Sequence, residues 1–342
     1  MSDCRKSPLH TVALMALTSA TTTFLVAPLI RRGLLAIGSL DVPNSRSSHQ
    51  QAVVRGGGLS CVIGMAIATC TTSERPSHFD VAAVATMASV GFLDDLFNVP
   101  ASLRLASQFL GGTALTLHHS PDLGLTSVLI LPALVNAVNF MDGINGITGT
   151  TSTIWGINAI SLGTGTQSMR SLGALAVGGG IGFLPYNFPD ATLFLGDVGS
   201  YLFGAIFATA SVQRNQSLRG LTRLNAPLLL YVTDTGSCLV QRALRRQPLM
   251  AAHREHVYQQ LVHRCGLSHT QVTLLHAAAA SLVTLFARHK SPWVSLLGAA
   301  ATSAGYVLSP HLIGSPTRTK QGLIRRASSR LQNLTNFKCE IS

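Results

Sequence analysis

Apolar segments recur along almost the whole chain, and they constrain its fold more than any other feature. Eleven such segments can be drawn, at residues 10–30, 56–73, 78–93, 104–119, 124–138, 146–163, 169–185, 199–213, 224–243, 270–288 and 292–309. Only 11% of the 342 residues are charged, against about 25% in soluble domains. Helices that face lipid need no charged surface. The sequence therefore predicts an all-α polytopic membrane protein with about eleven transmembrane helices.

The basic residues predict an orientation for these helices. The chain has 25 Lys and Arg residues against 13 Asp and Glu residues. With the N-terminus placed outside, most of the basic residues fall in inner loops or in the C-terminal segment, as the positive-inside rule requires. We expect an integral-membrane domain over residues 1–311 and a basic cytoplasmic tail over residues 312–342. This distribution explains the net charge of +12 without a nucleic-acid partner.

Several common kinds of site are excluded by spacing. The six cysteines form no CxxC pair and most lie in or beside apolar runs, so neither a disulfide framework nor a zinc site is indicated. The glycines of "RGGG" at 55–58 are not followed by GK[ST], so they form no P-loop. The run "GGGIGF" at 178–183 lies inside an apolar segment, where it predicts close helix packing.

Five polar motifs lie at the ends of predicted segments. They are "DVPNSRSSHQQAVVRGGG" after the first, "FLDD" at the end of the third, "NFMDGING" after the fifth, "FLGDVGS" after the seventh and "AAHREHVYQQL" after the ninth. Because successive odd-numbered segments end on the same side of a membrane, this topology brings all five motifs to the cytoplasmic face. We therefore expect one shared site.

The aspartates of these motifs suggest a metal-diphosphate site. Asp94 and Asp95 are adjacent, and an ionised aspartate near the bilayer centre costs about 2.5–3.5 kcal/mol, so a compensating cation is expected. Arg104, at the start of the next segment, or a divalent ion could supply it. Asp197 and Asp142 add two carboxylates on the same face, and Mg²⁺ usually takes one or two carboxylates plus phosphate oxygens. The plainer alternative is that these residues cap helix ends in water.

The motif "NFMDGING" contains a polar row. Asn136, Asn139, Asp142 and Asn145 recur at intervals of three, which predicts one face of a helix. Amide and carboxylate groups in a row can hydrogen-bond a nucleobase, a sugar or a phosphate-metal group. The alternative is a polar helix end that leads into a turn, and the spacing excludes a calcium-binding loop.

Two basic loops complete the predicted site. His253, Arg254 and His256 suit an anionic ligand better than zinc, because no third ligand follows at a suitable spacing. His49 and Arg55, in the loop after the first segment, could line the entrance for a phosphate. The alternative for both loops is an ordinary solvated, basic cytoplasmic surface.

Taken in order over residues 41–262, the five motifs resemble the polyprenyl-phosphate N-acetylhexosamine-1-phosphate transferase superfamily. The resemblance implies an enzyme that moves a sugar-1-phosphate from a UDP-sugar to a polyprenyl phosphate, usually undecaprenyl phosphate, and releases UMP. It implies a Mg²⁺ requirement, with Mn²⁺ as a substitute, and a cytoplasmic-facing site in the bacterial inner membrane. A homodimer is left open.

The resemblance also implies roles by position. It implies that Asp197 binds Mg²⁺ and that Asp94 and Asp95 handle the metal and the lipid phosphate. From these matches and from the patterns above, the residues expected to bind substrate are Asn136, Asn139, Asp142, Asn145, His253, Arg254, His256, Arg55, His49 and Arg104.

One departure bears on the donor. The branch that transfers phospho-MurNAc-pentapeptide carries consecutive histidines in the last loop, whereas this chain has His-Arg-Glu-His. The chain resembles instead the branch that initiates O-antigen or capsule-type glycans, with donors such as UDP-GlcNAc, UDP-FucNAc or UDP-QuiNAc. The alternatives are the pentapeptide transferase, a transporter with carboxylates at the cytoplasmic face, and a prenyl-transferring enzyme with Asp-rich motifs.

Overall fold

The computed structural model describes residues 8–43, 51–119, 125–162, 166–213, 217–248 and 254–314, and helices form most of this part of the chain. The helices are α1 Pro8–Ala36, α2 Gly58–Thr71, α3 His78–Phe97, α4 Ala101–His119, α5 Leu125–Val128, α6 Ile130–Met141, α7 Ile147–Ser161, α8 Gln167–Asn187, α9 Gly196–Ser211, α10 Leu218–Leu224, α11 Leu229–Leu244, α12 Val257–His263, α13 His269–Ala287 and α14 Pro292–Ile313. A 3-10 turn at Ala226–Leu228 precedes α11.

Each of the eleven predicted segments corresponds to a helix or a helix pair, which supports an all-α membrane protein. Among the described residues, three helices are long and apolar enough to cross a bilayer: His10–Ala36 within α1, His269–Ala287 and Pro292–Ile313. Gly58–Thr71 and Ile130–Met141 are shorter apolar helices. The number of spans and their orientation therefore stay predictions, as does the tail, of which residues 315–342 lie outside the described residues.

The structure departs from the predicted segments at several places, and the helices α10 and α12 were not among those segments. The segment predicted at 124–138 is divided into α5 and α6. A two-stranded antiparallel sheet, β1 Leu40–Asp41 and β2 Val53–Val54, follows α1 and pairs Leu40 with Val54. Strands of two residues are too short to give a periodic pattern, so the sequence did not predict them.

Close packing of α8 depends on its glycines, as predicted. A Cβ atom at Gly178 would lie 2.5 Å from the carbonyl oxygen of Ala16 in α1. A Cβ atom at Gly180 would lie 2.6 Å from the carbonyl oxygen of Gly149 in α7. Larger side chains would force these helices apart, so the run positions α8 between α1 and α7.

The helix α9 lies at the centre of the fold and is buried from Val198 to Ser211. It packs against α3 and α6. Gly91 of α3 contacts the backbone of Asp197, and any side chain there would collide with it. This close approach brings the C-terminal end of α3 against the N-terminal end of α9.

A buried polar cluster joins four helix ends at the opposite end of α3. Asp80 has no exposed surface. Its carboxylate lies 2.6 Å from Nε2 of His119, accepts a hydrogen bond from Oγ of Ser168 at 2.5 Å and lies 3.5 Å from Nε2 of Gln213. The cluster lies about 21 Å along α3 from Asp94, so it belongs to a different part of the protein.

The described cysteines support the sequence analysis. Cys61, Cys70, Cys238 and Cys265 are all free, and Cys70 alone among these four is exposed. Within the described ranges the chain therefore has no disulfide bond.

Candidate active site

Arg55 joins two of the predicted site aspartates. Its Nε lies 2.7 Å from Oδ1 of Asp95, and its Nη2 lies 2.8 Å from Oδ2 of Asp197. The backbone at Arg55 is fixed by Ser39, because the N–H of Arg55 donates to the Ser39 carbonyl at 3.1 Å and the Ser39 hydroxyl donates to the Arg55 carbonyl at 3.1 Å. The residue that follows β2 is thereby held beside the start of α9.

A short backbone ladder connects the glycine run to the motif "FLGDVGS". The N–H of Phe194 donates to the carbonyl of Val54 at 2.8 Å. The N–H groups of Gly57 and Gly58 donate to the carbonyls of Phe194 and Leu195 at 2.8 and 2.7 Å. Because strand-like pairing fixes register, the ladder sets Arg55 opposite the beginning of α9.

Gly196 occupies a position that accepts no other residue. Its φ of +74° lies in the left-handed region, where L side chains are strained. A Cβ atom there would also lie 2.6 Å from Oδ2 of Asp95 and 2.8 Å from the backbone of Gly56. The glycine before Asp197 is therefore needed for the approach of the Asp95 carboxylate.

Asp95 caps the N-terminus of α9 from another helix. Its two carboxylate oxygens accept hydrogen bonds from the N–H groups of Asp197 and Val198, both at 2.9 Å. Free N–H groups at a helix start carry partial positive charge. Asp95 occupies these N–H groups, and only 1% of its side chain is exposed. Burial, with the charge of Asp197, raises the pKa of Asp95 to about 6, although Arg55 opposes the shift.

Asp94 pairs with Arg104, as predicted. Nη1 of Arg104 donates to Oδ2 of Asp94 at 2.6 Å, and the side chains are 28% and 5% exposed. Burial raises the pKa of Asp94, and the neighbouring carboxyl of Asp197 raises it further, while Arg104 lowers it. The carboxyl groups of Asp94 and Asp197 thus lie close enough to repel each other when both are ionised, and a cation would reduce this repulsion.

Asn139 holds the remaining carboxylate. Its Nδ2 donates to Oδ1 of Asp197 at 2.7 Å and lies 3.0 Å from the Ser200 hydroxyl. The Asp197 side chain is 16% exposed, the most of the three aspartates in the cluster. The C-terminal part of α6 therefore belongs to the same site as α3 and α9.

The prediction of a single helical row in "NFMDGING" is wrong. The helix α6 ends at Met141, so Asp142 is its cap residue and Asn145 lies in the following turn. Gly146, with φ of +77°, completes that turn. The plainer alternative, a polar helix end that leads into a turn, describes the backbone better.

Two members of the row face away from the carboxylates. Asn136 donates to Oε1 of Gln108 at 2.6 Å, which joins α6 to α4. The side-chain Nδ2 of Asn145 donates to the carbonyl of Pro189 at 2.8 Å, and the backbone carbonyl of Asn145 accepts from Oγ1 of Thr273 at 2.7 Å. Asn136 thus joins two helices and Asn145 supports the turn, and neither of these contacts involves Asp197.

Asp142 remains electrostatically linked to the cluster. Burial raises its pKa to about 7, and the charges of Asp197 and Asp95 add to this shift while Arg55 opposes it. The turn beside it is covered by Tyr258, whose ring would collide with any side chain at position 143.

His256 lies in a buried position at the start of α12. Its Nδ1 is 3.0 Å from Oδ1 of Asp234, a residue that the sequence analysis missed. Its ring lies near those of Tyr258 and Phe140, with centroids 5.7 and 6.2 Å away. The hydroxyl of Tyr258 donates to the Phe140 carbonyl at 3.0 Å. The described part of the motif "AAHREHVYQQL", called the histidine loop below, therefore packs on the end of α6.

Three other predicted substrate residues have different outcomes. Arg254, two positions before His256, is exposed. His49 and His253 lie outside the described residues. The one sequence signal for Asp234 was an acidic residue inside the apolar segment 224–243.

Within the described ranges, no set of three or more His, Cys, Asp or Glu side chains is arranged to hold a metal ion. The carboxylate oxygens of Asp94 and Asp197 are hard ligands of the kind that Mg²⁺ prefers, and Mg²⁺ needs as few as one or two of them when phosphate is present.

Carboxylates, paired arginines and an amide thus lie together at one end of the helical bundle. Residues 79–215 match glycosyl transferase family 4. Over 310 residues the chain is 26% identical to a probable undecaprenyl-phosphate N-acetylglucosaminyl 1-phosphate transferase of Bacillus subtilis, with 82% of this chain and 86% of the relative covered.

Two further relatives have related names. The chain is 34% identical over 181 residues to an undecaprenyl-phosphate alpha-N-acetylglucosaminyl 1-phosphate transferase of Thermotoga maritima, covering 51% of this chain and 56% of the relative. It is 28% identical over 319 residues to a phospho-N-acetylmuramoyl-pentapeptide-transferase of Symbiobacterium thermophilum, covering 74% and 91%. These matches support the resemblance of the chain to the polyprenyl-phosphate N-acetylhexosamine-1-phosphate transferase superfamily. Because relatives of both kinds match, the comparisons do not separate its branches.

Proposed function

We propose that this protein transfers an N-acetylhexosamine-1-phosphate from a UDP-sugar to a polyprenyl phosphate, usually undecaprenyl phosphate, and releases UMP. The observation that carries the proposal is the cluster in which Arg55 joins Asp95 and Asp197 while Asn139 holds Asp197. Apart from Arg55, these residues fall within the segment that matches glycosyl transferase family 4. The site then faces the cytoplasm at a bacterial inner membrane.

Charge repulsion is the main obstacle to such a reaction. The acceptor is already an anion, so it needs little help from a general base, but it must approach an anionic diphosphate. Arg55 and Arg104 are each paired with a carboxylate, and a guanidinium also suits phosphate oxygens. When bound, Mg²⁺ would neutralise the donor diphosphate and stabilise the leaving UMP.

Asp94 and Asp197 are the residues that we assign to the metal. The Asp197 carboxyl raises the pKa of Asp94, and Asp197 is more exposed than Asp94 or Asp95. Asp95 has a different part in this proposal. Both of its oxygens accept backbone N–H groups, so it holds the start of α9, and thereby Asp197, in place.

The donor nucleotide is assigned to the side formed by the end of α6 and the histidine loop. Asn139 contacts Asp197, and Asp142 is the C-terminal cap of α6. His256 packs near Phe140, which lies between these two residues in the sequence. With a pKa of about 7, Asp142 is about half protonated at neutral pH and can then donate a hydrogen bond to a ligand oxygen.

The donor that we propose is a UDP-N-acetylhexosamine such as UDP-GlcNAc, used to initiate a lipid-linked surface glycan of the O-antigen type. The His-Arg-Glu-His sequence of the last loop supports this choice. The second candidate is the phospho-MurNAc-pentapeptide reaction, which the Symbiobacterium relative favours.

A donor panel tests the proposal. Membranes that contain the expressed protein are incubated with undecaprenyl phosphate, Mg²⁺ and one labelled donor at a time: UDP-GlcNAc, UDP-FucNAc, UDP-QuiNAc or UDP-MurNAc-pentapeptide. We expect label in the lipid and UMP in solution for one N-acetylhexosamine donor, with loss of both on addition of EDTA. Transfer from the pentapeptide donor alone would replace the first candidate by the second. No transfer from any donor by folded protein would overturn both.

A further inference from the structure

Asp234 is a buried acid whose described partners come from the histidine loop. It lies in α11 with 1% of its side chain exposed. Its Oδ1 is 3.0 Å from Nδ1 of His256, and its two oxygens accept the N–H of Val257 at 3.1 and 3.0 Å. An acid in an apolar segment is costly unless it is paired, so these contacts explain how the carboxylate is accommodated.

The contact fixes the place of the imidazole. Nδ1 of His256 lies beside Asp234 of α11, and the His256 side chain also accepts the backbone N–H of Gln259 in a capping box at the start of α12. The ring lies nearly parallel to that of Tyr258, at an interplanar angle of 13°. The ring is thereby held near Phe140 at the end of α6.

We propose that Asp234 is a positioning residue for donor binding that acts through His256. It holds the imidazole ring beside Phe140 and Tyr258, on the side of the site assigned to the UDP-sugar. This inference rests on the proposed function. It adds to it a residue outside the five sequence motifs and outside the segment 79–215 that matches the family.

A purely structural role is the competing account, because Asp234 also caps the first N–H of α12 through Val257. The two accounts differ in their dependence on His256. A cap at Val257 works whatever residue is present at position 256. A positioning effect disappears once the imidazole is gone. The double substitution should then raise KM no more than the single substitution with the larger effect.

The test is a double-mutant cycle of Asp234→Asn and His256→Gln in the transfer assay, with KM for the UDP-sugar and kcat measured separately. Asparagine keeps an oxygen that can accept from Val257, so the fold should survive. We expect each single variant to raise KM by about 10- to 100-fold, as losses of such supporting partners do. We expect the double variant to have the same KM as the single variant whose KM is higher.

The matched control is Asp80→Asn, at the other buried Asp–His pair. It should leave KM unchanged, because that pair lies at the far end of α3. The inference would be overturned if the effects of Asp234→Asn and His256→Gln on KM were independent and multiplied in the double variant. An unchanged KM in Asp234→Asn would overturn it as well. In both cases, transfer by the wild type would leave the proposed function intact. Failure of the wild type to transfer from any donor would overturn the proposed function and this inference with it.

Discussion

The carboxylate of Asp95 accepts the backbone N–H of Asp197 at 2.9 Å, although the two residues are 102 positions apart. This bond places the end of one helix against the start of another, and Arg55 closes the arrangement by pairing with both side chains. The position of Asp197 therefore depends on Asp95. We assign a structural role to Asp95 and a chemical role to Asp197, and substitutions can test the two roles separately.

Substitution of Asp95 should affect stability and activity together. Asp95→Ala leaves two N–H groups without their acceptor, and we expect a loss of about 2 kcal/mol from the missing cap and hydrogen bonds. Asp95→Asn keeps one amide oxygen and should lose less. Thermal unfolding in detergent, with transfer activity measured on the same preparations, checks this order. An Asp95→Ala protein as stable as the wild type would contradict the capping role.

Substitution of Asp197 should affect activity with little change in stability. Asp197→Asn keeps an oxygen for Asn139 but removes the charge that we assign to Mg²⁺. We expect activity to fall by at least about 100-fold and the Mg²⁺ concentration for half-maximal activity to rise. Magnesium titrations of wild type and variant provide the measurement. Full Mg²⁺-dependent activity in Asp197→Asn would remove Asp197 from the metal site.

Arg55 should not be replaceable by lysine. Its Nε and Nη2 reach two different carboxylates, and a single ammonium group cannot reproduce that fork. We expect Arg55→Lys to lose about tenfold or more in kcat/KM, although the charge is retained. Steady-state kinetics check the prediction, with the exposed Arg75→Lys as a control. Equal activity in both variants would show that charge alone is needed at position 55.

The pH dependence of stability should carry the signature of Asp142. Its folded pKa of about 7 exceeds the value of about 3.9 for an unfolded aspartate. The folded state therefore binds more protons, and the contribution of this group to stability falls as pH rises from about 4 to 7. Asp142→Asn should flatten this part of the profile and be more stable than the wild type at pH 8. Melting curves with parallel profiles for the two proteins would contradict the assignment.

The cluster around Asp80 should be needed for stability alone. Asp80→Ala removes a buried carboxylate that contacts His119 and Ser168. We expect a loss of about 3 kcal/mol, seen as a lower melting temperature, with KM unchanged in whatever protein remains folded. A large change in KM would mean that the two ends of α3 are coupled.

The gathering of the site could be predicted because it depends on chain order. Segments that alternate in direction return every second end to one face, so the surroundings of Asp94 and Asp197 followed from counting segments. The pairing of Asp94 with Arg104, ten positions apart across one turn, could be predicted because Arg104 begins the next segment.

The end of α6 could not be predicted in the same way. Spacing by three suits a helix, but α6 stops at Met141, and Tyr258 packs over the turn beyond it. The partnership of Asp234 with His256 spans 22 positions and a loop. Such a contact depends on how two helices meet, and no local pattern encodes it.

The proposed reaction is defined by the group that moves from the donor. It can be tested with a UDP-N-acetylhexosamine labelled both in the sugar and in the phosphate attached to it, with purified protein, undecaprenyl phosphate and Mg²⁺. We expect both labels to enter the lipid in equal amounts and UMP to be released. Sugar label in the lipid without the phosphate label, together with release of UDP, would contradict the proposed transfer.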